Sequence, residues 1–208
     1  MSNSREVPLQ IDVPVRREVA LGREVTVAGA LDISEEADAE RGNPFGFENT
    51  AGLAAGALYL GRARSEAELV ARALNLGWCD SAPDAALSGG VSLDHLLRLL
   101  KDSDVPGYAE RGYSLEDLAQ NIEAGSNVIA FVNAGELWDS AAELSLTEAN
   151  HAVLMESVAR DAVSEEIAGF FLRDPSSSAG IFVDAAKANR MWLETGGWQI
   201  VSGSSGRL

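Results

Sequence analysis

The sequence has one cysteine and two histidines among its 208 residues. The single cysteine, Cys79, excludes an intramolecular disulfide and a cysteine-based zinc site. Two histidines, His95 and His151, are too few for a histidine-rich metal site. We therefore predict neither a metal nor another cofactor.

Basic residues are scarce as well. The sequence contains 16 Lys and Arg and 32 Asp and Glu, which gives a net charge of −16 and a pI of about 4.4. Nucleic-acid backbones and anionic membranes are bound by clustered basic residues, so neither is expected as a partner. The charge suits a basic partner, although a solvated acidic surface is the simpler interpretation.

Long apolar stretches are also absent. No run of 18 apolar residues predicts a membrane-spanning helix, and the N-terminus MSNSREVPLQ lacks the apolar core of a Sec signal peptide. The length and a hydrophobic content of 46% suit one cored domain, with or without a small appendage. We predict a soluble protein that folds in a reducing compartment, unless specialised machinery exports it.

The alternating runs within the first 42 residues predict a hairpin or an arm laid on the body of the protein. Residues 7–15 and 18–29 alternate apolar and polar side chains as strands do, and prolines limit the first run to an edge or an extended arm. Residues 32–42 are acidic and predict a solvated linker or helix. We therefore divide the chain into an arm and linker (1–42), a main domain (43–201) and a flexible tail (202–208).

Helices dominate the first part of the main domain, over residues 51–60, 65–76, 92–101 and 114–123. The first is apolar or small on all sides, which predicts a buried helix. Its glycines, Gly52 and Gly56, each cost roughly 1 kcal/mol relative to alanine, which close approach by other backbone could offset. Asn49 or Thr50 is its expected N-cap, with a side-chain oxygen that accepts a helix N–H. The positive N-terminus suits a thiolate or an oxyanion, but Ala51 stands there and can do no chemistry.

Strands dominate the second part. They are predicted at 127–132, 151–158, 166–172 and 198–201, with a loop at 133–149 and a helix at 183–193. Helices followed by a mainly antiparallel sheet predict an α+β fold.

His151 and Asp174 form the strongest candidate pair. His151 begins one predicted strand and Asp174 follows the next, so a hairpin would make them neighbours. An aspartate beside an imidazole can fix its tautomer and stabilise its cation. Alternatively, the histidine is structural, and Asp174-Pro175 only begins a turn.

Three other patterns give weaker or negative evidence for a catalytic role. Cys79 ends a helix and precedes Asp80, and both features raise a thiol pKa, which favours a structural cysteine. His95 lies off the leucine stripe of its helix, which favours a surface position. The sequence contains no G-x-S-x-G elbow, phosphate-binding P-loop or Rossmann fingerprint.

Four motifs together resemble the papain-like cysteine peptidases, especially the branch related to the double-glycine leader peptidases of bacteriocin transporters. They are TAGL at 50–53, VIAFVNAGELW at 128–138, NHAV at 150–153 and RDP at 173–175, within roughly residues 43–201. The resemblance implies a papain-like fold with a buried nucleophile helix packed on the sheet. Similar domains occur as toxin or effector modules in bacterial competition systems.

The resemblance also assigns roles. His151 matches the general base and Asp174 its orienting partner, whereas the nucleophile position holds Ala51 in place of the family's cysteine. The family usually supplies an oxyanion-hole glutamine just upstream of that position, and here Asn49 is the nearest amide. Ala51 marks either a deliberately inactivated variant or a natural pseudopeptidase, and the retained His151 and Asp174 favour inactivation.

The implied function is a cysteine protease, as an antibacterial toxin or effector that cleaves a target-cell protein, in a catalytically inactive form. It implies a protein or peptide substrate, a cognate immunity protein, and export without a Sec signal by a specialised secretion system into the target-cell cytoplasm. Two alternatives stay open on the same fold: a non-catalytic peptide-binding pseudopeptidase and a glutamine deamidase.

Overall fold

An eight-stranded sheet with helices on both faces forms the body of the protein. The computed structural model describes residues 15–20, 22–29, 43–60, 64–140, 148–176 and 180–202. Every strand pairing among these residues is antiparallel, so the predicted α+β class with a mainly antiparallel sheet is confirmed.

The elements are numbered in chain order. The strands are β1 (Val15–Ala20), β2 (Arg23–Gly29), β3 (Gly107–Arg111), β4 (Asn127–Val132), β5 (His151–Asp161), β6 (Ile167–Arg173), β7 (Gly180–Asp184) and β8 (Trp198–Ser202). The helices are α1 (Ala51–Leu60), α2 (Glu66–Leu76), α3 (Leu93–Asp102), α4 (Leu115–Glu123), α5 (Ala134–Trp138) and α6 (Ala185–Ala188), with short helical turns at Ala85–Leu87 and Asn189–Leu193.

The long strand β5 organises the sheet. The first half of β5 pairs with β4 and the second half pairs with β2. Strand β6 also pairs with β5, and β7 pairs with β6. On the other side of β4 the order continues through β8 to β3. The start of β5 therefore lies beside the ends of β4 and β6, where the candidate histidine and aspartate stand.

Strand β4 shows why both faces of the sheet are covered. Val128, Ala130 and Val132 pack into the cluster built with α4 and the helical segment 185–193, whereas Ile129 packs on the opposite face with α1 and α3. An apolar strand with no polar face is expected when both sides of a sheet are buried. The predicted buried strand at 127–132 is thus confirmed.

Helix α1 is buried against β5, α2 and α3, as its uniformly apolar sequence predicts. Its two glycines do allow close packing, but the neighbours are side chains rather than backbone. A Cβ on Gly52 would stand 2.6 Å from Val91 Cγ1, and one on Gly56 would stand 3.0 Å from Leu96 Cδ1.

The sequence placed the other three N-terminal helices well. Ser65 and Ser114 cap α2 and α4 in capping boxes, and Gly77 ends α2 in the left-handed conformation. The predicted strands at 151–158, 166–172 and 198–201 are present within a residue or two, except that β5 continues to Asp161.

Two predictions of local structure are wrong. The predicted loop at 133–149 contains α5, because the Asn133 side chain caps that helix by accepting the N–H of Glu136. The predicted helix at 183–193 begins only at Ala185, since 180–184 pair with β6 as β7. Strand β3 was not predicted. The hairpin alternative for residues 18–29 is confirmed, because β1 and β2 pair on either side of a turn at Gly22.

The hairpin of β1 and β2 joins the main sheet through β5. Within the described ranges, no helix is long and apolar enough to cross a membrane. The predictions for residues 7–14, for the acidic segment 32–42 and for the tail beyond Ser202 lie outside the described residues.

Candidate active site

A cleft of about 490 Å³ lies where the N-terminus of α1 faces the start of β5. Ala51 and Gly52 line it from the helix, and His151 lines it from the strand. Residues 77–80 and 90–92 form a further wall. The fold thus brings Ala51 and His151, which are 100 residues apart in sequence, into one cavity.

The start of α1 is built differently from its predicted cap. The Thr50 carbonyl accepts the N–H of Ala54 at 2.8 Å and begins the helix, but the Thr50 hydroxyl donates to the buried Glu66 carboxylate at 2.7 Å. The residues of the first turn that come before Ala54 have N–H groups with no acceptor within the helix. Because Ala51 and Gly52 line the cleft, these polar groups are available to a ligand there.

The loop before residues 90–92 of the wall closes on the start of α1 at Gly89. Gly89 has a φ of +101°, and a Cβ on it would come within 2.5 Å of Thr50 Cγ2. Backbone bonds fix the approach: the N–H of Asn49 donates to the Ser88 carbonyl, and the N–H of Gly89 donates to that of Asp80. Glycine at this position lets the wall lie directly against the residue that begins the helix.

His151 and Asp174 are hydrogen-bonded neighbours. Strands β5 and β6 form the antiparallel hairpin that the sequence suggested, with Leu154 opposite Arg173. His151 Nε2 lies 2.9 Å from Asp174 Oδ1, and the residues are 8% and 0% exposed. The pair therefore stands at the edge of the cleft with its carboxylate fully covered.

Asp174 is held as a carboxylate. Oδ1 accepts bonds from His151 Nε2 and from the N–H and hydroxyl of Ser176, and Oδ2 accepts one from Trp138 Nε1 at 2.8 Å. Burial raises the pKa of the carboxyl, but the hydrogen bonds from His151 and Ser176 outweigh it and hold the pKa well below its ordinary range.

This carboxylate sets the tautomer of the imidazole. An ionised carboxylate only accepts hydrogen bonds, so the proton that His151 shares with Asp174 belongs to Nε2. In the neutral ring Nδ1 is then the basic nitrogen. A histidine held this way is equipped to take a proton from a nucleophile in the cleft.

Trp138 and Ser176 were given no role from the sequence, yet both hold the aspartate. The Trp138 ring also lies 4.8 Å from the His151 ring at 58°, and it is 44% exposed. It therefore covers the buried pair from solvent. The sequence signal for Ser176 was the Asp-Pro-Ser turn, in which an aspartate often accepts the N–H two residues on.

The helix that carries Trp138 is anchored to the residue before the histidine. Asn150 Oδ1 accepts the N–H of Ala134, the first residue of α5, at 2.8 Å. Asn150 N–H in turn donates to the carbonyl of Val132. One short chain of contacts thus links the backbone beside His151, helix α5, its tryptophan and Asp174.

Asn49, the predicted oxyanion-hole residue, lines the same cleft. Its Nδ2 stands 3.0 Å from where a Cβ on Gly90 would be, at the wall beside the start of α1. The position is compatible with a donor role, which stays a prediction.

His95 and Cys79 also line the cleft, although the sequence favoured a surface and a structural position. His95 is half-buried, stacks on Trp78 with 5.7 Å between the ring centroids, and directs Nδ1 at the Trp78 carbonyl at 3.1 Å. Burial, more than the neighbouring Asp80, raises the pKa of the Cys79 thiol. The direction agrees with the sequence argument, but the main cause is burial.

Among the residues described here, no group of three or more His, Cys, Asp and Glu is arranged to hold a metal.

No family model and no curated protein matches the sequence. Similarity was found among solved structures. One structure is a double glycine motif protease from an AMS/PCAT transporter in complex with the leader peptide, at 15% identity and a TM-score of 0.42, covering 74% of this chain and 85% of that one. Another is described as a C39-like peptidase from Bacillus anthracis, at 16% identity and a TM-score of 0.49, covering 77% and 91%. Because both TM-scores lie below 0.5, we base the function on the geometry of this cleft.

Proposed function

We propose that the cleft is the active site of a papain-like cysteine peptidase whose nucleophile position holds alanine. The supporting observation is the arrangement of three residues: Ala51 begins a buried helix, and His151, oriented by Asp174, lines the same cleft. This arrangement supports the proposal because a cysteine at position 51 would share the cleft with an imidazole that a carboxylate orients.

The reaction with cysteine at position 51 would follow from this geometry. His151 Nδ1 takes the thiol proton, and the helix N-terminus stabilises the thiolate. The sulfur attacks a peptide carbonyl, and N–H groups at the start of α1, with Asn49, stabilise the oxyanion. The imidazolium protonates the leaving amine as the C–N bond breaks. Water, deprotonated by the same imidazole, then hydrolyses the thioester and frees the sulfur.

With alanine at position 51 the chain is expected to bind a peptide without forming the acyl-enzyme. This same residue supports the second candidate function, a peptide-binding pseudopeptidase. The retained His151 and Asp174 favour an inactivated enzyme, because a binding module does not need an oriented general base.

We further propose a biological role as an antibacterial toxin or effector, exported by a specialised secretion system and countered by an immunity protein that covers the cleft. Its support is the sequence resemblance to peptidase modules of bacterial competition systems. It is tested by growth of bacteria that express Ala51→Cys, beside the chain as given and Ala51→Cys with His151→Ala. Growth arrest in the first alone is expected. Equal growth of all three strains would count against a toxin for those cells.

The catalytic proposal is tested by restoring the thiol. Ala51→Cys is combined with Cys79→Ser, because the native thiol lines the same cleft and would be labelled too. A peptidyl vinyl sulfone library is applied, and the labelled position is mapped by mass spectrometry. We expect modification at position 51, slowed about a hundredfold or more when His151→Ala is added.

The controls separate the two candidates. The chain as given and Cys79→Ser alone should remain unlabelled at position 51, and circular dichroism establishes that each variant is folded. Labelling no faster than that of free cysteine, or labelling independent of His151, would reject the peptidase. Retention of peptides by the chain as given would then support the pseudopeptidase. For an active variant, a cleaved rather than a deamidated target separates a peptidase from a deamidase.

A further inference from the structure

The cleft has a charged side that the catalytic residues do not use. Asp80 lies in the wall formed by residues 77–80 and 90–92, and it is the only Asp, Glu, Lys or Arg among the described residues that line the cavity. Its carboxylate has no hydrogen bond or ion pair within the described part of the chain. A ligand in this cleft therefore meets a carboxylate that no lysine or arginine among these lining residues offsets.

The backbone of Asp80 is held in place by two hydrogen bonds. The N–H of Asp80 donates to the Gly90 carbonyl at 2.8 Å, and its own carbonyl accepts the N–H of Gly89 at 2.9 Å. A Cβ on Gly90 would be 2.6 Å from Asp80 Oδ2 and 3.0 Å from Asn49 Nδ2. The glycine thus leaves room for an acceptor and a donor to stand over it, next to the start of α1.

An aromatic side chain lines the same wall of the cleft as the carboxylate. Trp78 lines the cleft two residues before Asp80, and its indole is held by stacking on His95 with an interplanar angle of 11°. Lysine and arginine pack their apolar stems and their charge against aromatic rings, and a carboxylate accepts hydrogen bonds from their heads. An indole and a free carboxylate in one wall therefore match a basic side chain better than a neutral or an acidic one.

We propose that Trp78 and Asp80 of this wall form a subsite for a lysine or arginine side chain of the bound peptide. The inference rests on the proposed function, since it names the class of peptide that the same cleft takes. Asp80 is the residue that determines specificity. The net charge of −16 would attract such a segment but would not by itself place its basic residue here.

The test uses the chain as given, which needs no nucleophile to bind. The immobilised protein is exposed to pools of N-acetylated, C-amidated hexapeptides that share one fixed residue: lysine, arginine, norleucine or glutamate. Retained peptides are quantified by mass spectrometry. We expect the lysine and arginine pools to be retained roughly fivefold more than the norleucine pool, which has the same stem without the charge.

Two variants localise the preference. Asp80→Asn should abolish it. Asp84→Asn is the matched control, because it removes the same charge from the same loop outside the cleft, and asparagine can still accept the N–H of Ala86 as Asp84 does. The preference should survive this change.

The outcomes are separable from those of the catalytic proposal. Equal retention of the lysine and norleucine pools, no retention of any pool, or equal loss in both variants would each overturn the basic subsite. Labelling at position 51 without a basic preference would leave the peptidase standing without this subsite. A preference that depends on Asp80 but is accompanied by no labelling would indicate a module that binds basic peptides.

Discussion

Replacing Asp174 by asparagine tests the electrostatic core of the site. The carboxylate is fully buried and accepts four hydrogen bonds, from His151, from Trp138 and twice from Ser176. Asparagine keeps one acceptor oxygen, but its amide group must then face at least one of these donors. Loss of a buried charge-assisted pair costs several kcal/mol. We therefore expect Asp174→Asn to lower the free energy of unfolding by about 3 kcal/mol at about pH 5.

The pH dependence provides the sharper result. An aspartate whose folded-state pKa is depressed adds stability above its unfolded pKa, about 3.9, and loses it as the pH falls towards the folded value. Because the folded-state pKa of Asp174 lies far below its ordinary range, lowering the pH from about 5 to about 3 protonates mainly the unfolded state. The advantage of the native protein over Asp174→Asn should therefore shrink by about 1.2 kcal/mol.

Urea unfolding followed by tryptophan fluorescence measures both quantities. Asp84→Asn, an exposed aspartate, serves as the control and should differ little from the native protein at either pH. An advantage that stays constant or grows from pH 5 to pH 3 would refute a carboxylate kept ionised below its ordinary range.

Three further predictions concern the surroundings of the site. Trp138→Phe removes the indole N–H that binds Asp174 and should lower the free energy of unfolding by about 1.5 kcal/mol, measured by urea denaturation. Gly52→Ala places a methyl group 2.6 Å from Val91 Cγ1 and should lower the melting temperature, at a cost of about 1–3 kcal/mol. The Cys79 thiol, whose pKa is raised by burial and by the following aspartate, should react slowly with a disulfide reagent at neutral pH and faster as the pH rises.

Each of these has a matched comparison. Trp198 is 45% exposed, much like Trp138 at 44%, but it does not bind Asp174, so Trp198→Phe is the control for Trp138→Phe. If both variants lose the same free energy of unfolding, the indole of Trp138 has no special role. Gly180→Ala adds a methyl whose nearest neighbour is 3.9 Å away, so it should be tolerated. Rapid modification of Cys79 at neutral pH would contradict the raised thiol pKa.

Local signals account for the elements that the sequence predicted correctly. Capping boxes at Ser65 and Ser114, and the left-handed glycine that ends α2, act within a few residues and need no tertiary partner. Strand β3 carries no such signal. Its five residues GYAER become a strand only because Arg111 to Gly107 pair with Trp198 to Ser202 of β8.

The candidate site divides in the same way. The expected hairpin made His151 and Asp174 neighbours, whereas Ala51 was assigned as the nucleophile position only through the resemblance to papain-like peptidases. The contributions of Trp138 and of the cleft wall could not be derived from such local patterns. Their contact with the site depends on how α5 and a loop pack on distant strands. A contact across 36 residues, such as Trp138 to Asp174, leaves no local pattern.

The sequence by itself determined the class of fold and the caps of the helices, because these follow from periodicity and short-range hydrogen bonding. The proposal that Ala51 stands at a nucleophile position came from the resemblance of the sequence motifs to papain-like peptidases. Tertiary structure alone decided that Ala51, His151 and Asp80 line one cleft and that Asp174 stays ionised while buried. The physical reason is that burial and hydrogen bonding from separate elements set the pKa of a carboxyl and the shape of a cavity, and these appear only when the strands have paired.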